Sequence, residues 1–317
     1  MKKSQVISLV VMFVIVTILI IVGLFKNDNT ILNVEPKNTI SNSSAPSKSL
    51  NVSSSTPQKS ETTSNPTPSP TAVSGQPVVF PVIDKDKLAN LSTLQEDWGV
   101  SYSGSVPIIP FKILDYITNY GCVITQNSDK KVIYLTFDEG YENGFTSKIL
   151  DTLKAKNIKA IFFITGSYID LNPDLVKRMV DEGHLVGNHT NQHKIMPTLG
   201  TEDFTKELLD LEVKFRNVVG QDKRMTYYRP PEGSYSERDL AAAKQLGYKL
   251  TLWSFAYVDY DTENQKGADS AYNTIISKLH NGGVFLLHAV SKDNAEVLGR
   301  LIDDVKAQGY EINRIDQ

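Results

Sequence analysis

The chain has 317 residues, 40% hydrophobic and 22% charged, enough for one large domain with flanking segments. A formal net charge of -3 supplies neither the basic surface that grips a polyanion nor an acidic tail, so no nucleic-acid partner is expected. The single cysteine, Cys122, excludes an intramolecular disulfide and a cysteine-rich metal cluster; its Gly-Cys-Val-Ile setting predicts a small apolar core residue.

Val6 to Phe25 is an uncharged apolar run of about 20 residues, long enough to cross a bilayer as one helix. Lys2 and Lys3 precede it and favour a cytoplasmic N-terminus with the remaining chain outside. Residues 1–26 are therefore expected to be a transmembrane anchor with a short cytoplasmic end. The alternative, a cleaved signal peptide, needs a shorter apolar core and a small-residue exit, which Leu24-Phe25-Lys26-Asn27 does not offer. Residues 27–79, with Ser53-Ser54-Ser55-Thr56-Pro57 and Asn65-Pro66-Thr67-Pro68-Ser69-Pro70, read as a Ser/Thr/Pro-rich linker that cannot bury enough surface to offset chain entropy. The folded part is thus expected outside the cytoplasm, tethered to the membrane and facing the wall.

Residues 80–130 show little periodicity and read as an extension packed on the main domain, with Trp98 as an apolar anchor. From residue 131 to 317, strand and helix alternate. Lys131 to Phe137, Ile158 to Ile164, His184 to Gly187, Thr226 to Tyr228, Tyr248 to Trp253 and Val284 to His288 read as strands. Phe145 to Lys156, Pro173 to Glu182, Glu202 to Val219, Glu237 to Leu246, Ala268 to Leu279 and Asn294 to Gln308 read as helices. This alternation predicts an α/β fold of parallel strands covered by helices, either a (β/α) barrel or an open sheet. In both, chemistry belongs at the C-terminal ends of the strands.

The motifs fall there. Asp138 and Glu139 end the first strand, in Thr136-Phe137-Asp138-Glu139-Gly140. A generic Asp-Glu pair is most often a helix cap or a solvated turn; as a functional pair it needs a nearby cation to offset the repulsion. Asn188-His189-Thr190-Asn191-Gln192-His193 supplies two histidines four apart, which share a face on a helical turn and suit zinc or a similar divalent ion. Two surface histidines are the plainer alternative. Arg229-Pro230-Pro231-Glu232-Gly233 follows a short strand, and its prolines stiffen the backbone beside Arg229. His288 ends the last strand, as a capped core residue or a general acid. His184 reads as a strand residue and His280 as a histidine at a helix C-terminus, favoured by the dipole.

Together these stretches resemble the polysaccharide deacetylase (NodB-homology) family, carbohydrate esterase family 4, over about Lys131 to Asp316. Glu139-Gly140-Tyr141-Glu142-Asn143-Gly144, Asn264-Gln265-Lys266-Gly267 and Val290-Ser291-Lys292-Asp293-Asn294-Ala295 resemble its δ-lactam-biosynthetic de-N-acetylase branch of spore formers. The resemblance implies a distorted (β/α) barrel that removes acetyl from peptide-free N-acetylmuramic acid in peptidoglycan. It also implies dependence on an amidase that strips stem peptides. By the same resemblance Asp138 matches the general base and Arg229 the arginine that orients it. Glu139, His189 and His193 match the ligands of a divalent metal such as zinc, and His288 the general acid. Two positions depart from the family: Glu139 stands where most members have Asp, and Ala256 where many have an Asp that tunes the acid histidine. Asp259 is the expected substitute for that tuning group.

Overall fold

The computed structural model describes residues 80–317, so the expected anchor and linker lie outside the described residues. Among the described residues no helix is long and apolar enough to cross a membrane. The elements in chain order are β1 (Glu96–Asp97), β2 (Ser101–Ser103), β3 (Val106–Ile108), α1 (Phe111–Tyr120), β4 (Val132–Glu139), α2 (Thr146–Ala155), β5 (Ile161–Ile164), α3 (Gly166–Leu171), α4 (Pro173–Asp181) and β6 (Leu185–Asn188). They continue with α5 (Thr201–Val219), β7 (Tyr227–Tyr228), β8 (Ser234–Tyr235), α6 (Glu237–Gln245), β9 (Lys249–Leu250), α7 (Ala268–Ile276), β10 (Gly283–His288), α8 (Lys292–Ala307) and β11 (Glu311–Ile312).

Strands β10, β4, β5, β6, β7 and β9 lie side by side in that order, all parallel, and β11 adds to the start of β4. All eight residues of β4 are buried, as a central strand covered on both faces requires. Its side chains alternate. Ile133, Leu135 and Phe137 join the large cluster with Ile149 and Leu153 of α2 and Leu301 of α8. Val132 and Tyr134 face the other way, into a smaller cluster with Phe163, Tyr227 and Val284. The sheet curls around this second face. The residues after β9 meet β10 around one parallel bridge, Phe255 with Phe285, where the Ser254 and Phe255 N–H groups donate to Val284 O at 2.9 and 3.2 Å and the Leu286 N–H to Phe255 O at 2.8 Å. The expected strand Tyr248 to Trp253 is accordingly short. Of its later residues, Thr251 still donates its N–H to Tyr228 O of β7 at 2.7 Å and bridges Val123 in parallel on its other side, and the chain beyond it turns along the seam.

The extension holds more regular structure than expected. Helix α1 carries a helical stripe, Ile113, Tyr116, Ile117 and Tyr120 at i, i+3, i+4 and i+7, which contradicts the expectation of little periodicity there, and β2 with β3 makes a small antiparallel hairpin. Helix α3 and strand β11, six and two residues long, carry too little pattern to be read. Cys122 is buried as expected, and burial pushes its thiol up to about 12. His280 departs from expectation. It is buried against Ser254, with Nε2 2.7 Å from the Ser254 hydroxyl, and loss of solvent lowers its pKa, so no charge faces a helix dipole. His184 just precedes β6 and accepts the Ala160 N–H through Nδ1; burial lowers its pKa to about 4.

Gly282 sets the entry into β10. Its φ is +71°, and an added Cβ would lie 2.4 Å from the Gln126 carbonyl oxygen. Gly282→Ala therefore lowers the unfolding free energy by roughly 2 kcal/mol, measured by urea denaturation.

Candidate active site

The inner face of β4 ends in Asp138, which has the same parity as Val132 and Tyr134. Facing it is Arg229, fully buried at the end of β7. Arg229 Nη1 donates to Asp138 Oδ1 at 2.6 Å. The other guanidinium nitrogens are also used: Nε donates to Thr251 O and Nη2 to Leu252 O, both at 3.1 Å. The Phe163 ring packs 4.1 Å from the guanidinium carbon. Burial by itself would push the Asp138 carboxyl up. The charge of Arg229, with that of His288 adding to it, outweighs burial and holds the group below the usual carboxylate range. Asp138 is thus an ionised base with Oδ1 occupied and Oδ2 turned toward His189, 3.6 Å from its Nε2.

His189 follows β6 and is buried. Its Nδ1 lies 2.8 Å from the Arg229 carbonyl oxygen, which can only accept, so Nδ1 carries the proton and Nε2 presents a lone pair. Burial lowers its pKa to about 4, which keeps the ring neutral. His193 is exposed, with its ring centroid 4.9 Å from that of His189. The two do not sit on a helical turn. The chain from Thr190 to His193 is irregular, with φ of 68° at Thr190 and 55° at His193, and these left-handed residues bring the rings together.

Glu139 does not join them. Strand alternation puts it on the helix-facing side of β4, with Phe137. There it is fully buried; Oε2 accepts from the Thr146 hydroxyl at 3.4 Å, and Oε1 has no hydrogen-bond partner. Burial first, then the nearby Glu142 and Asp138 charges, push its pKa well above the usual range. Among the described residues no group of three metal-binding side chains is found; of the expected ligands Glu139, His189 and His193, Glu139 does not line the groove described below, whereas the two histidines line it together. Those two fit a divalent ion by donor chemistry, since His189 Nε2 has a free lone pair held in place by the bond on its other nitrogen.

His288 ends β10 directly beside Asp138 in the β10–β4 register. Its Nδ1 is 2.7 Å from Asp259 Oδ1, while its backbone N–H donates to Asp259 Oδ2 at 2.8 Å. Burial opposes the charged ring, but the Asp259 carboxylate outweighs it and raises the pKa, leaving Nε2–H as an available acid. Asn294 Nδ2 donates to Asp259 Oδ2 at 2.6 Å and fixes the carboxylate further. The spacing of Asn294 from His288 gave no helical or strand signal for this role; only the turn into α8 brings it back.

These groups open onto a groove of about 1040 Å³, also lined by Tyr141, Trp253, Tyr257 and Tyr260. Its floor includes the Pro230–Gly233 loop. In that loop the Arg229 N–H bonds to Asn188 O, Pro230 and Pro231 have no N–H, and the Gly233 N–H bonds to Pro230 O. The Glu232 amide is the donor left for a ligand, and Glu232 is held at φ 57° and ψ 9°.

Comparison with known proteins places the chain in context. Residues 125–251 match the polysaccharide deacetylase family. A peptidoglycan-N-acetylmuramic acid deacetylase, PdaA of Bacillus subtilis, is 40% identical over 222 residues, covering 69% of this chain and 84% of that protein. The solved structure of B. subtilis PdaA, a family 4 carbohydrate esterase, superposes with a TM-score of 0.69 at 39% identity, over 71% of this chain and 97% of that one. A peptidoglycan-N-acetylglucosamine deacetylase of Bacillus cereus is 32% identical over 186 residues, 58% of this chain and 85% of that protein.

The geometry separates Glu139 from the histidines, and zinc titration calorimetry reads that separation. His193→Ala weakens zinc binding by at least about tenfold, whereas Glu139→Gln leaves it within about twofold. Equal losses in both variants would contradict the placement of Glu139.

Proposed function

This chain belongs to the polysaccharide deacetylase family, and from that premise we propose that it hydrolyses the N-acetyl group of N-acetylmuramic acid in peptidoglycan strands already stripped of stem peptide. The family makes it a hydrolase of carbohydrate-linked acetamides. The observation that carries the mechanism is the pair of adjacent strand ends: Asp138, held ionised by Arg229, beside His288, held protonated by Asp259.

In the proposed reaction Asp138 Oδ2 accepts a proton as water attacks the acetyl carbonyl carbon. The Glu232 N–H stabilises the oxyanion that forms. His288 Nε2–H then protonates the sugar nitrogen, the C–N bond breaks, and acetate and the amine are released. A divalent ion, zinc or a similar metal, would be held by His189 and His193 with solvent, and when bound it acidifies water and polarises the carbonyl. Arg229 orients Asp138, and Asp259 sets the ring angle and charge of His288.

Support for muramic acid comes from the name of the B. subtilis relative and from the stretches that resemble the δ-lactam branch. The freed amine of such a product can close onto its own lactyl group to give the muramic δ-lactam of spore cortex. The runner-up is acetylglucosamine deacetylation, which the B. cereus relative favours. We further propose that the apolar run Val6 to Phe25 anchors the protein in the membrane, that the linker lets the catalytic body reach the wall, and that an amidase acts first.

Two experiments test the reading. The full chain is given wall glycan with and without amidase treatment, and products are identified by mass spectrometry. Acetyl loss from peptide-free muramic acid is expected, and abolished by chelator; loss confined to glucosamine contradicts the muramic assignment. Asp138→Asn lowers kcat by about a hundredfold or more with the fold intact.

The second is the pH profile. The ionised form of Asp138 is lost only as pH falls through its lowered pKa, and the protonated form of His288 only as pH rises through its raised one. Asp259→Asn removes the charge that offsets burial, so the alkaline limb of kcat moves to lower pH. An unmoved limb would show that His288 is not the acid.

A further inference from the structure

Outside the matched family span lies a short strap, Glu96 to Trp98, that touches the site's supports. Strand β1 pairs antiparallel with β8 for two residues, and the Ser234 hydroxyl donates to Asp97 Oδ1 at 2.5 Å. So short a pairing contributes little alone. Trp98 extends it in two directions. Its backbone N–H donates to Gly233 O at 3.0 Å, and its indole Nε1–H donates to Trp253 O at 2.8 Å.

Those two acceptors lie on the segments that hold Arg229. Gly233 closes the loop that begins at Arg229, and Trp253 follows Thr251 and Leu252, whose carbonyls accept from the guanidinium. The loop needs a restraint. Glu232 is a non-glycine residue in the left-handed region, which persists only where its surroundings over-determine it. Gly233, at φ +69°, is packed so closely that an added Cβ would lie 2.8 Å from the Trp253 ring and 3.3 Å from the Trp98 Cβ.

We propose that Trp98 is a positioning residue for the deacetylation: it ties the Pro230–Gly233 loop to the Thr251–Trp253 segment and thereby fixes Arg229 against Asp138. The extension is on this account a working part of the active site. The inference rests on the roles of Asp138 and Arg229 proposed above.

The test compares Trp98→Phe, which keeps an apolar ring and loses the indole donor, with Tyr116→Phe. The latter removes a different bond in the same extension, from the Tyr116 hydroxyl to Glu96 Oε1 at 2.8 Å. Steady-state kinetics on peptide-free wall glycan and hydrogen exchange of the Arg229 Nε–H by NMR are measured for the full chain. Trp98→Phe lowers kcat by about tenfold with KM within about twofold, and speeds Arg229 Nε–H exchange by about tenfold. Tyr116→Phe leaves both readouts at wild-type values. Wild-type kcat and exchange in Trp98→Phe, or equal changes in Tyr116→Phe, overturn the proposal. If the wild-type chain releases no acetate, the functional reading fails, and the exchange comparison still decides whether Trp98 positions Arg229.

Discussion

The buried ion pair of Arg229 and Asp138 is the constraint on which the site is built. Two full charges are withdrawn from water at the inner ends of β7 and β4, and either one left alone would cost about 3–5 kcal/mol. The structure answers by using each polar group of the guanidinium: one bond to the carboxylate and two to backbone carbonyls of the Thr251–Leu252 segment. Those carbonyls are free to accept because the chain after β9 leaves the regular ladder. The irregular seam of the sheet and the buried arginine therefore require each other. The Arg229 backbone serves a third purpose, since its carbonyl fixes the tautomer of His189.

A second consequence concerns the two adjacent acids. Neighbours on a strand point to opposite faces, and Asp138 and Glu139 follow that alternation at the end of β4. The repulsion that the sequence raises is resolved by separation and by Arg229. Asp138 is kept ionised; Glu139 is buried behind the strand near Thr146, Tyr168 and Glu142, in surroundings that disfavour its charge. The Glu139 side chain lies with the helix-facing core. The same logic of paired partners recurs at His288, where Asp259 and Asn294 do for the proposed acid what Arg229 does for the proposed base.

Much of this was legible in the residues. Alternating strands and helices imposed a parallel α/β sheet, and the chemistry-bearing motifs stood at strand ends, where such sheets place their sites. Asp259 as the partner of His288 was implied only by the resemblance to the family's motif, and the two lie 2.7 Å apart. Other features were not legible for physical reasons. The approach of His189 and His193 depends on two left-handed residues in an irregular loop, which no periodicity encodes. The stripe of α1, by contrast, was present in Ile113, Tyr116, Ile117 and Tyr120, and Trp98 is buried as the expected anchor, while its hydrogen bonds to backbone carbonyls carry no sequence signal. The side of β4 on which Glu139 lies follows from strand parity alone.

The most direct measurement is the carboxyl titration of Asp138, followed by carbon NMR on selectively labelled protein. The account requires this group to stay ionised below the usual carboxylate range, because the Arg229 charge more than offsets burial. An Asp138 that titrates at or above that range would mean the ion pair does not control the base, and the mechanism built on it would be wrong.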